Sequence, residues 1–190
     1  VSTYQSVSGA GEAGVKQLID ERNKISIISL LDTRVFPMNI DLNCIALCDK
    51  MDHETGYTGE ELKLERETPK ILDSDIKVTA TAVRVPVIGG HSESVNIEFY
   101  NDFSIDEVIK ILTNMPGVEV KNNINYSFYN VASPYNVQDR EEVWVDRIRR
   151  DYSQNNTLNL WIVADNLMKG AALNAVQIAN HLYTSRLLDN

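Results

Sequence analysis

Two alternating apolar and polar stretches, separated by a double glycine, constrain the fold of this chain most strongly. Residues 76–87 begin with strict alternation, which is typical of a strand with one buried face. Gly89 and Gly90 predict a turn, and the alternation resumes over residues 94–99. We therefore expect two long strands that form an antiparallel ribbon, with His91 near its bend.

Apolar spacing and capping residues predict the elements around this ribbon. Helices are expected over residues 12–22 after a glycine-rich turn, from residue 59 with Thr58 as its cap, from Ser104 as a cap to about residue 115, and over residues 169–188. Further strands are expected over residues 25–31, 143–151 and 158–164, and residues 32–58 have the composition of a long irregular connection. The prediction is an α+β domain with about four mainly antiparallel strands covered by helices on one side.

Composition narrows the class of protein. With 190 residues, 43% of them hydrophobic, the chain suits a single ordinary domain. Its net charge of −9 argues against nucleic acid as a partner, and no uncharged apolar run approaches the roughly 20 residues that span a bilayer. Cys44 and Cys48 are the only cysteines, which indicates neither a disulfide framework nor a zinc site. We expect a cytoplasmic protein without a metal and, since the chain opens on Val1 without Met, a piece of something longer.

Two groups of residues carry chemistry. Arg84 and His91 flank the predicted turn, where a guanidinium could bind a carboxylate through its planar fork and an imidazole could transfer a proton. The ordinary alternative is a surface ion pair for Arg84 and a turn hydrogen bond for His91. Glu60 and Lys63 lie one helical turn apart, an arrangement that also occurs on any solvated helix.

Five blocks, taken together, make the chain resemble the aspartate-semialdehyde dehydrogenase family over nearly its whole length. The blocks are residues 2–11 (STYQSVSGAG), 60–63 (EELK), 84–95 (RVPVIGGHSESV), 147–151 (RIRRD) and 159–166 (NLWIVADN), the last continuing through residues 169–179 (KGAALNAVQIA). The resemblance is to the C-terminal half of these enzymes, so it implies a domain like the C-terminal one of the glyceraldehyde-3-phosphate dehydrogenase-like superfamily, with a mixed, mainly antiparallel sheet covered by helices.

In that family a cysteine thiolate attacks aspartyl phosphate, and the resulting thioester accepts a hydride from NADPH. The resemblance implies that His91 is the catalytic acid and base and that Gln5 orients the acyl group. Arg84 would bind the substrate carboxylate and Lys63 the phosphate. Glu60 would bind the substrate ammonium, with Glu61 as a competing choice, since sequence does not separate the adjacent acids.

The cofactor and the nucleophile are expected to be held mainly elsewhere. Asp165 and Asn166 correspond to a segment near the nicotinamide of NADP, although an acid-amide pair before a helix is ordinarily a cap. Cys44 follows Asn43 as in the family's catalytic dipeptide, but it lies after Gln5, on the wrong side of the family order. The letters of a G-x-G-x-x-G motif over residues 9–14 have no apolar strand predicted before them.

The resemblance therefore implies one substrate-binding and dimerisation domain over residues 1–190, with a Rossmann domain that binds NADP and carries the cysteine upstream. The chain alone is expected to be inactive, to bind small molecules (aspartyl phosphate, aspartate semialdehyde and phosphate) and to form a homodimer or a tetramer. The whole enzyme would serve lysine, threonine, methionine and diaminopimelate biosynthesis. Two alternatives are a dimerisation scaffold that has lost the reaction, and an acyl-phosphate reductase of the N-acetylglutamyl-phosphate type.

Overall fold

The computed structural model describes residues 1–23, 34–72, 75–121, 130–185 and 187. The strands are β1 (Ser2–Gln5), β2 (Thr81–Arg84), β3 (His91–Glu98), β4 (Val118–Val120), β5 (Val143–Arg150) and β6 (Thr157–Ala164). The helices are α1 (Gly11–Arg22), α2 (Gly59–Leu72), α3 (Ile105–Thr113) and α4 (Leu173–Thr184). A short 3₁₀ helix (Val7–Ala10) precedes α1, and a π-helical segment (Met168–Ala172) precedes α4.

The six described strands form one mixed sheet in the order β2-β1-β3-β6-β5-β4. β1 runs parallel to β2, and β4 runs parallel to β5. The three other pairs, β1 with β3, β3 with β6 and β5 with β6, are antiparallel. The sheet is thus mainly antiparallel and carries helices, which confirms the α+β prediction.

The prediction of an antiparallel ribbon is wrong. The strand before the double glycine is only Thr81–Arg84, and β1 lies between it and β3. Alternation indicates that each segment has one buried face, but it does not indicate which strand lies beside that segment. The turn at Gly90, where φ is +85°, therefore crosses over β1 and does not close a hairpin.

Other boundaries also differ from the predictions. Neither β1 nor β4 was expected, because each has four residues or fewer and little alternation. α3 begins after Ser104 as predicted, but the Ser104 hydroxyl makes no capping hydrogen bond. The last helix is regular only from Leu173, after a kink at Ala171. The strand predicted over residues 25–31 lies outside the described residues.

The two faces of the sheet are packed by different elements. On one face, α3 covers a cluster that includes Val95 and Ile97 of β3 and Leu158 and Leu160 of β6. The opposite face carries a smaller cluster formed with a loop: Ala132, Val137, Trp144 and Val163. Because alternate side chains of a strand share a face, His91 lies on the same face of β3 as Val95 and Ile97.

No helix among the described residues is long and apolar enough to cross a membrane. Three metal-ligating side chains do not come together in that part of the chain either. Cys48 is buried and Cys44 is exposed.

Candidate functional site

Strand register brings three of the predicted site residues to one edge of the sheet. Gln5 ends β1 directly opposite Arg84, which ends β2. β3 runs the other way and begins with His91, one residue before Ser92 pairs with Tyr4 of β1. Two strand ends and one strand start therefore coincide, and residues far apart in sequence become neighbours.

Arg84 is buried, with 9% of its surface exposed. Its Nη1 donates a 2.7 Å hydrogen bond to the Ser6 carbonyl oxygen, and its guanidinium lies 5.8 Å from the centroid of the Phe36 ring. No carboxylate of the described residues lies within ion-pair distance of it. The surface ion pair considered as the ordinary alternative is therefore not formed there, and the guanidinium keeps donors for an anion.

His91 is held through its Nδ1 atom. The Ser6 backbone N–H lies 3.2 Å from Nδ1 and donates to it, and the Ser6 hydroxyl oxygen lies 3.0 Å away. Burial, followed by the neighbouring positive charge of Arg84, lowers the pKa of His91 to about 4. The ring is thus neutral over the physiological range.

Gly9 covers both side chains. A Cβ atom at this position would lie 2.7 Å from Nη1 of Arg84 and 3.0 Å from Nε2 of His91. The two donors therefore face the same small space, which only a residue without a side chain leaves open. Because the Gly9 backbone lies directly against this space, the G-x-G-x-x-G letters serve packing here, and Gly14 lies in the same way against the Val7 carbonyl.

Gln5, Glu60 and Lys63 form a chain of contacts next to Arg84. The Gln5 Nε2 atom donates to Oε1 of Glu60 at 3.0 Å, and Oε2 of Glu60 lies 3.7 Å from Nζ of Lys63. The Oε1 atom of Gln5 is buried and has no hydrogen-bond partner in the described part of the chain. An unpaired buried carbonyl is costly, so this oxygen is an acceptor that a ligand could satisfy.

The structure separates the two adjacent acids. Glu61 is buried, and its carboxylate accepts hydrogen bonds from the backbone N–H of Thr58 at 2.7 Å and of Ala82 at 2.9 Å. The Glu61 backbone N–H in turn points at the Thr58 hydroxyl at 3.4 Å, which completes a capping box at the start of α2. The Glu61 carboxylate is therefore used in hydrogen bonds within the domain, and Glu60 is the acid that faces the site.

Asp165 and Asn166 also use their polar atoms within the chain. Asp165 accepts from the backbone N–H groups of Leu167 and Met168 through Oδ1 and from that of Asp139 through Oδ2. The Asn166 Oδ1 atom accepts from the Gly90 backbone N–H at 2.9 Å and from the Ser6 hydroxyl at 3.1 Å. Its Nδ2 group donates to the Ser8 hydroxyl at 3.1 Å. The bonds of Asp165 to the two residues that follow are of the capping kind that sequence allowed as the ordinary alternative, whereas Asn166 bonds to distant segments. A role of either residue toward a cofactor stays a prediction.

Sequence reasoning missed several residues at the site. Ser6 and Ser8 are buried hydroxyls on either side of an apolar residue, a pattern that could have marked them as partners of other polar groups. The Thr58-to-Glu61 spacing is a capping-box signal that could have assigned Glu61 in advance. Burial raises the pKa of the Cys48 thiol, which lies near Arg84 and Glu60, and no sequence signal indicated this position.

Comparison with known proteins gives a consistent result. The family profile described as "Semialdehyde dehydrogenase, dimerisation domain" matches residues 1–169. The chain is 45% identical over 187 residues to the aspartate-semialdehyde dehydrogenase of Rickettsia conorii and 43% identical over 189 residues to that of Legionella pneumophila, and it covers 54% of each. It therefore spans about half the length of these relatives, while 98% and 99% of its own length is matched.

Solved structures show the same similarity. The crystal structure of aspartate semialdehyde dehydrogenase II from Vibrio cholerae, complexed with ASA, superposes with a TM-score of 0.84 at 39% identity. That match covers 96% of this chain and 53% of the Vibrio chain. A probable aspartate-semialdehyde dehydrogenase from Pseudomonas aeruginosa has a TM-score of 0.80 at 30% identity, with the same coverage.

Proposed function

Because the chain belongs to the semialdehyde dehydrogenase dimerisation-domain family, we propose that it is the substrate-binding half of an aspartate-semialdehyde dehydrogenase. The whole enzyme would interconvert L-aspartyl 4-phosphate and L-aspartate 4-semialdehyde. The observation that carries the proposal is the convergence of Gln5, Arg84 and His91 at one edge of the sheet, with Glu60 bonded to Gln5. A carboxylate, an ammonium and an acyl group each meet a suitable partner there.

In this proposal Arg84 binds the α-carboxylate, since its buried guanidinium keeps free donors. Glu60 binds the α-ammonium, and Lys63, 3.7 Å from it, meets the phosphate. Gln5 orients the acyl group, because its amide is fixed by Glu60 at one atom and its oxygen is left without a partner in the described residues. His91 lies beside Arg84 across Gly9 and so reaches the same reacting group.

NADPH, when bound, supplies the hydride. Among the described residues, the candidates for holding a dinucleotide do not fit that role: Gly9 and Gly14 pack against atoms of the chain itself, and the polar atoms of Asp165 and Asn166 are used in bonds within it. We therefore place the cofactor and the catalytic cysteine in a nucleotide-binding domain upstream, consistent with the chain spanning about half of its relatives. Asp165 would act on the cofactor indirectly, by holding the residues that follow it, and Asn166 by holding the turn at Gly90.

We further propose a homodimer, since the matching family profile is described as a dimerisation domain. Pairing of dimers into a tetramer is the next level of assembly to test. Light scattering of the complete gene product would measure the molar mass directly, and a monomer at high concentration would contradict this proposal.

One observation favours an amino-acid substrate over an N-acetylated one. Glu60 keeps a carboxylate directed at the site, and an acetylated nitrogen carries no positive charge to pair with it. A dimerisation scaffold without activity would have no use for a buried guanidinium without a counter-ion, which costs stability.

The test is phosphate-dependent reduction of NADP by aspartate semialdehyde. It would be run in parallel on the complete gene product, on its Arg84→Ala variant and on the 190-residue chain. We expect activity in the complete product only, a large rise in KM in the variant, and none in the chain alone. Equal activity with N-acetylglutamate semialdehyde would favour the other reductase, and no activity with either substrate would favour the scaffold.

A further inference from the structure

Phe36 is a buried residue that contacts the side chain of Arg84. Only 5% of its surface is exposed, and the Arg84 guanidinium lies over its ring, 5.8 Å from the ring centroid. A cation within about 6 Å of an aromatic ring is attracted by the negative charge of the ring face. The contact therefore joins the proposed carboxylate ligand to the apolar core, although none of the proposed substrate contacts involves this ring.

An aromatic ring suits a buried guanidinium that must still bind an anion. An isolated buried charge is costly, so it needs a partner. In the described part of the chain, no carboxylate forms an ion pair with Arg84. A carboxylate there would stabilise the charge, but it would also occupy the N–H donors that a substrate carboxylate needs. The face of Phe36 attracts the cation and leaves those donors available.

Other contacts of Arg84 leave its side chain little freedom. Its backbone N–H donates to the Ile45 carbonyl at 2.8 Å, and its carbonyl accepts from the Ile45 N–H at 2.9 Å. Nη1 donates to the Ser6 carbonyl at 2.7 Å, and Gly9 lies against the same atom. Ile45 belongs to the same apolar cluster as Phe36. The ring is thus one of a few surfaces that determine where the guanidinium lies.

Phe36 lies outside the helices and strands, and a side chain of α1 holds its backbone. The Gln17 Oε1 atom accepts from the backbone N–H of Val35 at 2.9 Å and from that of Phe36 at 3.1 Å. Its Nε2 atom donates to Glu21, one helical turn further on, at 2.8 Å, which fixes the orientation of the amide. Gln17 is only 5% exposed, so the loss of these bonds would leave buried groups unpaired. Contacts therefore run from α1 through Gln17 and Phe36 to Arg84.

We propose that Phe36, held by Gln17, is a positioning residue that fixes the Arg84 guanidinium for the substrate carboxylate. This rests on the proposed dehydrogenase function and adds the segment after α1 to the parts of the chain that determine substrate affinity. The ring acts on a binding group and not on the bond that reacts. Its loss should therefore raise KM for aspartate semialdehyde and leave kcat nearly unchanged. A residue that only filled the core would affect stability alone.

The first experiment changes the charge of the ring face and almost nothing else. Phe36 of the complete gene product would be replaced by 3,5-difluorophenylalanine, because fluorine withdraws electrons from the ring face and is little larger than hydrogen. The para carbon Cζ, which lies close to Gly14, stays unsubstituted. We expect KM for aspartate semialdehyde to rise about twofold or more, with kcat and the KM values of phosphate and NADP unchanged. An unchanged or lower KM for aspartate semialdehyde would overturn the proposal.

Phe103 is the matched control for this replacement. Its ring also lies under a guanidinium, that of Arg150, at 4.3 Å from the centroid. Arg150 pairs with Asp102 and belongs to none of the proposed substrate contacts. The same fluorinated residue at position 103 should therefore leave every KM value unchanged. An equal rise of KM at both positions would show a general effect on the domain and would contradict the positioning role.

The second experiment tests whether Gln17 acts through Phe36. Phe36→Leu should raise KM for aspartate semialdehyde about fivefold, and Gln17→Met, which keeps the length of the side chain, should raise it less. The double variant should show no higher KM than Phe36→Leu alone, because the ring that Gln17 holds is already gone. An unchanged KM in Gln17→Met, or a double variant whose KM reflects the product of the two single effects, would refute the role of Gln17.

A third measurement needs no turnover. If the unmodified gene product does not accept aspartate semialdehyde, the proposed function fails, and the position of Arg84 can still be read from its reaction with butane-2,3-dione. Peptide mass spectrometry would give the rate of modification at each arginine. We expect Phe36→Leu to raise the rate at Arg84 about two- to fivefold and to leave Arg150 unaffected. Equal rates at Arg84 in the two proteins would overturn the proposal.

Discussion

Replacing Gly9 by alanine would place one methyl group between Arg84 and His91. The new Cβ would lie 2.7 Å from Nη1 of Arg84 and 3.0 Å from Nε2 of His91, whereas ordinary contact begins near 3.4 Å. Without backbone movement, Nη1 must retreat by about 0.7 Å and Nε2 by about 0.4 Å. The 2.7 Å hydrogen bond from Nη1 to the Ser6 carbonyl would be strained by the same movement.

A misplacement approaching 1 Å at groups that position a substrate can cost on the order of 100-fold in rate. We therefore expect kcat/KM of the complete gene product with aspartate semialdehyde to fall by about two orders of magnitude in Gly9→Ala. Stability should change little, because Gly9 is exposed, its φ is not in the left-handed region, and the clash involves side-chain ends. Thermal unfolding followed by circular dichroism would check this.

Gly89→Ala is the matched control. A Cβ at Gly89 meets no atom within 4 Å, and its φ is not in the left-handed region. We expect its activity to equal that of the unmodified protein. Full activity in Gly9→Ala with an intact fold would refute the view that Arg84 and His91 share one space, and an equal loss in Gly89→Ala would show that the turn as a whole, and not the contact at Gly9, is sensitive.

Three further predictions concern stability and its separation from binding. Glu61→Ala should lower the free energy of unfolding by about 2 kcal/mol, because buried N–H groups lose their acceptor, whereas Glu60→Gln should raise KM and leave the thermal midpoint unchanged; the opposite pattern in the two variants would reverse the assignment of the acids. Gly14→Ala should destabilise the fold by about 1–3 kcal/mol, since its Cβ would lie 2.5 Å from the Val7 carbonyl oxygen, and an unchanged midpoint in urea would contradict this. Finally, His91 has a pKa of about 4 in the folded chain and about 6.5 when unfolded, so the unfolded state binds the extra proton. This contribution to stability is complete above about pH 6.5 and is lost as the pH falls toward 4. Unfolding midpoints measured across this window should therefore fall less steeply with decreasing pH in His91→Gln. An unaltered dependence of the midpoint on pH would count against the buried neutral ring.

Local patterns in the sequence predicted most elements but not how they pair. Alternation located β5 and β6 within one residue and β3 within three, since each strand is eight residues long and has one packed face. β1 and β4 are too short for that signal, and their place in the sheet depends on partners far along the chain. The wrong ribbon followed directly from missing β1.

The residues of the candidate site could be predicted from the sequence, but the hydrogen bonds between them could not. Arg84 and His91 were singled out on either side of the predicted turn and Gln5 by the resemblance, and the structure brings the three together. Their bonds through Ser6 and Asn166 depend on tertiary contacts across 85 and 160 positions of sequence, which no local pattern records. The spacing of Thr58 and Glu61 signals the capping box, but the second bond of the Glu61 carboxylate comes from Ala82, a residue of another element.

The position of β1 also has a consequence for how the sheet assembles. A strand from the first five residues lies between two strands that begin at positions 81 and 91. Neither neighbour can therefore form its backbone hydrogen bonds on that side until β1 has been brought into place. Closing loops of nearly 80 residues carries an entropic cost before any ladder bond forms, and chains rich in such contacts fold slowly. The edge of β3 that β1 will cover stays open for as long as that search takes. An exposed strand edge invites pairing with other chains, so this domain should depend on a chaperone, or on low concentration, during refolding.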